Sequence, residues 1–341
     1  MKMVLFYTHK KHLLALALLA CLIGLFTFRL STAGAEDKDD HSASADAPDG
    51  NDPNLSETAS APATTDSSDP NTPSSEDEDD IFELNPSSLA LVREAYRNIF
   101  TPELVSDKGL VKYSTLKRKR YDVLDATREL KKLSPAVLMR LSKEERIAFW
   151  INTYNFCTIE LILRYYPIQP KWWNILYPDN SIMQITGAWE KEFFWIQNQQ
   201  YNLQEIEQGY LLTRYEDPRI CFALSNASIG GATLRNKSYK AECLDEQLND
   251  QVKQYLTSTK GIQLDKDNQV LKLSTLFQKY TETFLASEYA EIKRFRNHKA
   301  EERAWLNFIQ PYLSQEDIRY LETTPFKIKF IEVDWHLNEA Q

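Results

Sequence analysis

Histidine is scarce in this sequence, and its positions matter more than its number. Of five histidines, only His41, His298 and His336 lie outside the first thirty-five residues. That is too few, and too scattered, for a histidine-based metal site. Cys-x-x-Cys, His-Glu-x-x-His, Gly-x-Ser-x-Gly and a phosphate-cradling glycine-rich loop are all absent. No metal and no cofactor is therefore expected. No arginine-rich stripe or basic patch stands out either, which argues against nucleic acid as a partner. There is no internal repeat.

Large apolar side chains are almost missing from Glu36 to Asp80, Leu55 apart, and fifteen acids there face one lysine. Such a stretch buries too little to offset the entropy of ordering its backbone. It is expected to be a disordered acidic linker, extended by its own charge. The net charge of −9 belongs to this segment. The globular part, residues 81–341, is close to neutral.

Residues 1–35 have the form of an export signal or membrane anchor. Lys10-Lys11-His12 precede an uncharged run from Leu13 to Phe28, and Ala33-Gly34-Ala35 fits a signal-peptidase site. Cleavage and retention as an anchor are both open. Cations upstream and acids downstream orient the rest away from the cytoplasm. The domain is then either anchored at the inner membrane and facing the periplasm, or secreted into the periplasm. Leu18-Leu19-Ala20-Cys21 loosely matches a lipoprotein box. The apolar run continues past Cys21, however, which favours a plain residue of the span.

The globular region reads as α+β: one domain with a buried central helix packed on a small antiparallel sheet. Ser142-Lys143-Glu144-Glu145 is a capping box. It opens a helix predicted over Lys143–Tyr165 and stopped by Pro167. Ile147, Trp150, Ile151, Tyr154, Leu161 and Ile162 share one face and Phe149 and Phe156 the other, so the helix is buried. Asn152 and Asn155 then lie one turn apart in apolar surroundings, where amides must pin a loop, line a polar cleft, or both. Hairpins are predicted at 192–203 and 262–273, and a helix at 203–212. Ile220–Leu224 reads as a central buried strand, Ala241–Leu256 as a helix. Further helices are expected near 274–285, 301–309 and 314–321, before a last strand carrying Phe326, Ile328 and Phe330. Asp217, Arg219 and Glu207 are candidate buried charges, their simplest role an ion pair. Cys157, Cys221 and Cys243 make an odd count, so at least one is expected to be buried and reduced.

Several ordered runs together resemble the domain of unknown function 547 family: Gly109-Leu-Val-Lys-Tyr-Ser-Thr-Leu116, Arg146-Ile-Ala-Phe-Trp-Ile-Asn-Thr-Tyr-Asn155, Leu203-Gln-Glu-Ile-Glu207, Asp217-Pro-Arg-Ile-Cys-Phe-Ala-Leu224, Ala227-Ser228, Leu234-Arg235 and Val333-Asp-Trp-His-Leu-Asn338. The resemblance implies kinship with papain-like peptidases and transglutaminases. The Asn152–Asn155 helix would then line a cleft faced by Cys221. Fold alone does not fix function. This sequence also departs from the family pattern where chemistry would sit. Cys221 replaces a histidine, Asn226 and Gly231 replace two cysteines, Ala232 replaces a proline, and Gln208 replaces another histidine. Two readings follow. One is a catalytically silent envelope module binding a protein, peptide or small ligand through Asn152, Asn155, Glu207, Arg219, Asn226 and Ser228. The other is an acyl-transfer or peptidase-like enzyme with Cys221 as a relocated nucleophile.

Overall fold

The capping box at Ser142 forms with both of its hydrogen bonds, Glu145 N to Ser142 Oγ at 3.1 Å and Ser142 N to Glu145 Oε2 at 3.0 Å. It starts the longest helix of the computed structural model, which describes residues 86–340. The readings of residues 1–35, of Cys21 and of the linker lie outside the described residues. Among the described residues no helix is long and apolar enough to cross a membrane.

Five helices come first: α1 (Pro86–Ile99), α2 (Tyr113–Arg118), α3 (Arg120–Lys132), α4 (Pro135–Arg140) and α5 (Lys143–Tyr165). Helix α5 ends where Tyr166 turns extended ahead of Pro167. It is buried over most of its length, as a helix apolar on nearly every side must be. Strands β1 (Phe194–Ile196) and β2 (Gln199–Tyr201) form the first hairpin. Its turn is Gln197-Asn198, both with positive φ, one residue earlier than the sequence suggests. Residues 203–215 are helical, but Glu205–Leu212 is wound as a π-helix.

The strand expected at Ile220–Leu224 is instead a 3-10 helix, Pro218–Phe222. Pro218 stands at its first position and the Asp217 side chain caps it, accepting from Arg219 N. Burial was read correctly there; the apolar run is equally suited to either geometry. A 3-10 turn, Ala241–Cys243, leads into α6 (Leu244–Leu256). Strands β3 (Ile262–Asp265) and β4 (Val270–Ser274) make the second hairpin. The helix expected over 274–285 is two short ones, α7 (Thr275–Lys279) and α8 (Thr281–Ala286). Then come α9 (Ala300–Ile309), α10 (Gln315–Thr323) and β5 (Lys327–Ile331).

The architecture is α+β, and the described residues share one continuous core. Two details differ from the expected arrangement. β5 runs parallel to β4, so the three-stranded sheet is mixed; the helices α7 to α10 between them supply the crossover that parallel neighbours need. The main packing partners of α5 are the π-helix, the 241–243 turn and α2 rather than that sheet. Residues 334–340 then run back across the domain and hydrogen-bond to Val111, Asn180 and Ala227–Gly230.

Candidate functional site: a buried carboxylate beside Cys221

Asn152 and Asn155 each clamp one loop to α5. Asn152 donates to Tyr239 O and accepts from Tyr239 N, both at 2.9 Å. Asn155 donates to Ala223 O and accepts from Ser225 N, again at 2.9 Å. Each amide thus imitates a strand partner for a loop that has none. The Asn155 clamp fixes the end of the 3-10 helix that carries Cys221. The start of that helix is held by Arg219, which bridges Asp217 at 2.8 Å and Asp245 at 2.6 Å.

Cys221 is fully buried. Burial pushes its thiol well above the usual range; Glu207 adds to that, and Lys279 opposes it. Glu207, inside the π-helix, is itself almost completely buried. Its carboxylate accepts from the hydroxyls of Tyr154 and Tyr280, each at 3.2 Å, and from Gln208 Nε2 at 3.2 Å. Lys279 Nζ pairs with it at 3.1 Å from a side chain about half exposed. Burial, reinforced by Glu207, also holds both tyrosine hydroxyls well above their ordinary range. A π-helix leaves one backbone position out of the regular ladder and often marks a functional position. Here it carries the carboxylate.

The histidines are engaged elsewhere. His298 Nδ1 bonds Glu302 at 3.0 Å and its ring lies against Phe326. His336 Nδ1 bonds Asp334 at 2.6 Å. The charged groups acting on Cys221 are Glu207, Lys279 and Asp217. Among the described residues no set of three or more His, Cys, Asp or Glu is placed to hold a metal ion. Cys157, Cys221 and Cys243 are all free, and only Cys243 is partly accessible.

Asn226 and Ser228 build a different feature, the loop 226–231. Asn226 Oδ1 accepts from Ser228 N at 3.2 Å and Ser228 Oγ at 2.7 Å, and Ser228 Oγ accepts from Gly231 N at 3.0 Å. Lys260 Nζ donates to Ile229 O and Gly231 O, each at 3.0 Å. A Cβ on Gly231 would lie 2.7 Å from Asn226 Cγ. A sulfur at that Cγ position would be close to the spacing of a disulfide sulfur from its partner's Cβ, about 3 Å. The variant Asn226→Cys/Gly231→Cys is therefore expected to close a disulfide on oxidation and gain about 2 kcal/mol for so short a loop. The check is the fall in Tm on adding a reductant.

The six residues nominated for a common cleft thus fall into four separate places. Glu207 faces Cys221; Asn152 and Asn155 clamp two loops; Arg219 secures the 3-10 helix; Asn226 and Ser228 shape the 226–231 loop. Sequence reasoning missed Lys279 and Tyr280, which reach Glu207 from more than seventy residues away. It read Tyr154 only as an apolar-face residue of α5. A cavity of about 310 Å³ lies beside Asn152, with Arg93, Arg97, Glu145, Tyr239, Lys240 and Glu242 in its wall. A neighbouring cavity shares Arg93 and Arg97 and adds Arg140.

Residues 138–256 match the family model described as protein of unknown function, DUF547. The chain carries a DUF547 domain. The match runs from within α4 to the end of α6, so it takes in both asparagine clamps, the π-helix, Cys221 and the 226–231 loop. Lys279 and Tyr280 complete the Glu207 cluster from outside the matched DUF547 span. So do the runs at 109–116 and 333–338 lie outside it, yet they bond to one another: Tyr113 Oη donates to Asn338 Oδ1 at 2.8 Å, and Asn338 Nδ2 to Gly109 O at 2.9 Å. No curated protein and no solved structure matches the chain.

Proposed function

We propose that this DUF547 domain is a catalytically silent binding module that works outside the cytoplasm, delivered by its N-terminal segment and spaced by the acidic linker. The observation that carries the reading is the setting of Cys221: sealed in the core, its thiol pushed upward, with a carboxylate as its neighbour. A nucleophilic cysteine needs the reverse, an accessible thiolate beside a cation or a base. The polar side chains at the family's characteristic positions are spent on internal hydrogen bonds. Binding then belongs to the cavity beside Asn152, whose wall carries Arg93, Arg97 and Lys240 against Glu145 and Glu242; with Arg93 paired to Glu145 at 3.0 Å, Arg97 and Lys240 are left to meet an anionic group, such as a peptide carboxylate or a small acid.

Alkylation with iodoacetamide at neutral pH, read site by site by mass spectrometry, tests the reading. In the folded protein Cys243 is expected to react while Cys157 and Cys221 stay unmodified until denaturant is added. Ready alkylation of Cys221 in the folded protein would sink the silent reading and restore an enzyme. Loss of acidic-ligand binding in Arg97→Ala would separately support the cavity.

A further inference from the structure

Between α5 and the first hairpin, the chain exposes four large apolar side chains within five residues. Trp172 is 83% exposed, Trp173 61%, Ile175 61% and Leu176 64%. Scattered exposed hydrophobes need no explanation, but a contiguous set marks an interaction surface.

The backbone beneath this set is wired from inside. Gln184, only 2% exposed, sits in the 3-10 turn Ile182–Gln184. It accepts from Lys171 N at 3.0 Å and donates to Asn174 O at 3.2 Å, Tyr177 O at 3.3 Å and Pro178 O at 3.1 Å. Asn174 N bonds Lys171 O and Tyr177 N bonds Asn174 O, while the Asn174 side chain donates to Met183 O. One buried amide thus ties the loop down at Lys171, Asn174, Tyr177 and Pro178. The apolar side chains are held outward instead of collapsing onto the core.

We propose that the loop 172–176 inserts into the interfacial layer of a lipid bilayer. Three features select lipid as the occupant. Indoles prefer the boundary between headgroups and acyl chains, and the two aliphatic residues beside them reach deeper. Gln184 holds the loop from inside the protein at Lys171, Asn174, Tyr177 and Pro178, so the four apolar side chains are presented together and lose little freedom on insertion. The only charge between Gln169 and Pro178 is Lys171, whose amine is 2.8 Å from Thr186 Oγ1 and suits anionic headgroups; Asp179 follows at the loop's edge. The inference goes beyond the silent binding module, since it requires neither a cavity ligand nor any fate of the leader.

The test uses the full chain with phosphatidylglycerol–phosphatidylethanolamine vesicles carrying brominated acyl chains. Bromine quenches indoles only at short range, and no tryptophan precedes Trp150, so the leader contributes no signal. Quenching is expected in the wild type and should fall by at least about three-fold in Trp172→Phe/Trp173→Phe, which keeps the loop apolar while removing its interfacial indoles. Serine at both positions of the same full chain should lower the quenching at least as far, since the indoles and the two apolar anchors are both gone. Both positions are exposed, so neither variant threatens folding. Equal quenching in wild type and Phe variant, or none in either, overturns the proposal. A concentration-dependent blue shift without lipid, lost in the serine variant, overturns it too, because the loop would then meet a second copy of the chain.

Discussion

Asn155→Ala is expected to cost the domain about 4 kcal/mol, a large share of the roughly 5–15 kcal/mol that holds an ordinary domain folded. The side chain is 3% exposed and makes two bonds of 2.9 Å, to Ala223 O and from Ser225 N. Both partners are buried, so truncation leaves a carbonyl and an amide unpaired where water does not reach. Each such group costs about 1–3 kcal/mol, and the lost volume adds to that. Asn155→Asp is expected to be no better. It still accepts from Ser225 N but sets a carboxylate oxygen against Ala223 O and buries a charge. Urea unfolding checks this through a fall in midpoint at unchanged slope. Asn152→Ala should cost less, since its clamp borders a cavity that water can enter. Equal losses at the two positions would mean that the cavity is dry.

Removing one side of the Glu207 pair should be asymmetric. Lys279→Met leaves the carboxylate buried without a cation and is expected to cost about 3 kcal/mol. Glu207→Gln leaves a lysine that is about half exposed and can turn to water, so its cost should be near 1 kcal/mol. The double variant Lys279→Met/Glu207→Gln should recover most of what Lys279→Met loses, because the amide still accepts from Tyr154 and Tyr280. Chemical denaturation of the four proteins closes this cycle. If the two losses simply add, the lysine is a surface charge and the carboxylate is held by the tyrosines alone.

What the sequence revealed, and what it hid, follows from the range of the interactions. Ser142 and Glu145 are three residues apart, so their capping box could be read directly. The burial of α5 followed from its apolar periodicity, and its buried amides had to find partners. Which loops they clamp could not be read, because Tyr239 and Ala223 lie about seventy to ninety residues away. The run Ile220–Leu224 was recognised as core, but Asp217-Pro218 turned it into a 3-10 helix, and apolar content alone does not separate that from a strand. Glu207 reads from the sequence as a candidate buried charge, its simplest role an ion pair. Its real partners, Tyr154, Lys279 and Tyr280, come from α5 and from the junction of α7 and α8, and the π-winding that turns it inward leaves no periodic trace. Cys221 was legible as a thiol inside an apolar run, and the structure seals it in the core.

The return of residues 334–340 across the domain bears on the order of folding. Tyr113 and Gly109 meet Asn338 over 225 and 229 residues of chain, while Ala227 binds the same segment from the middle. Contacts of such separation close large loops and form late. During synthesis the region around Val111 therefore cannot consolidate until the ribosome has passed Asn338 and released it from the exit tunnel. The domain stays open until residues 334–340 have been made, and the last contacts it forms are the ones that join segments more than two hundred residues apart.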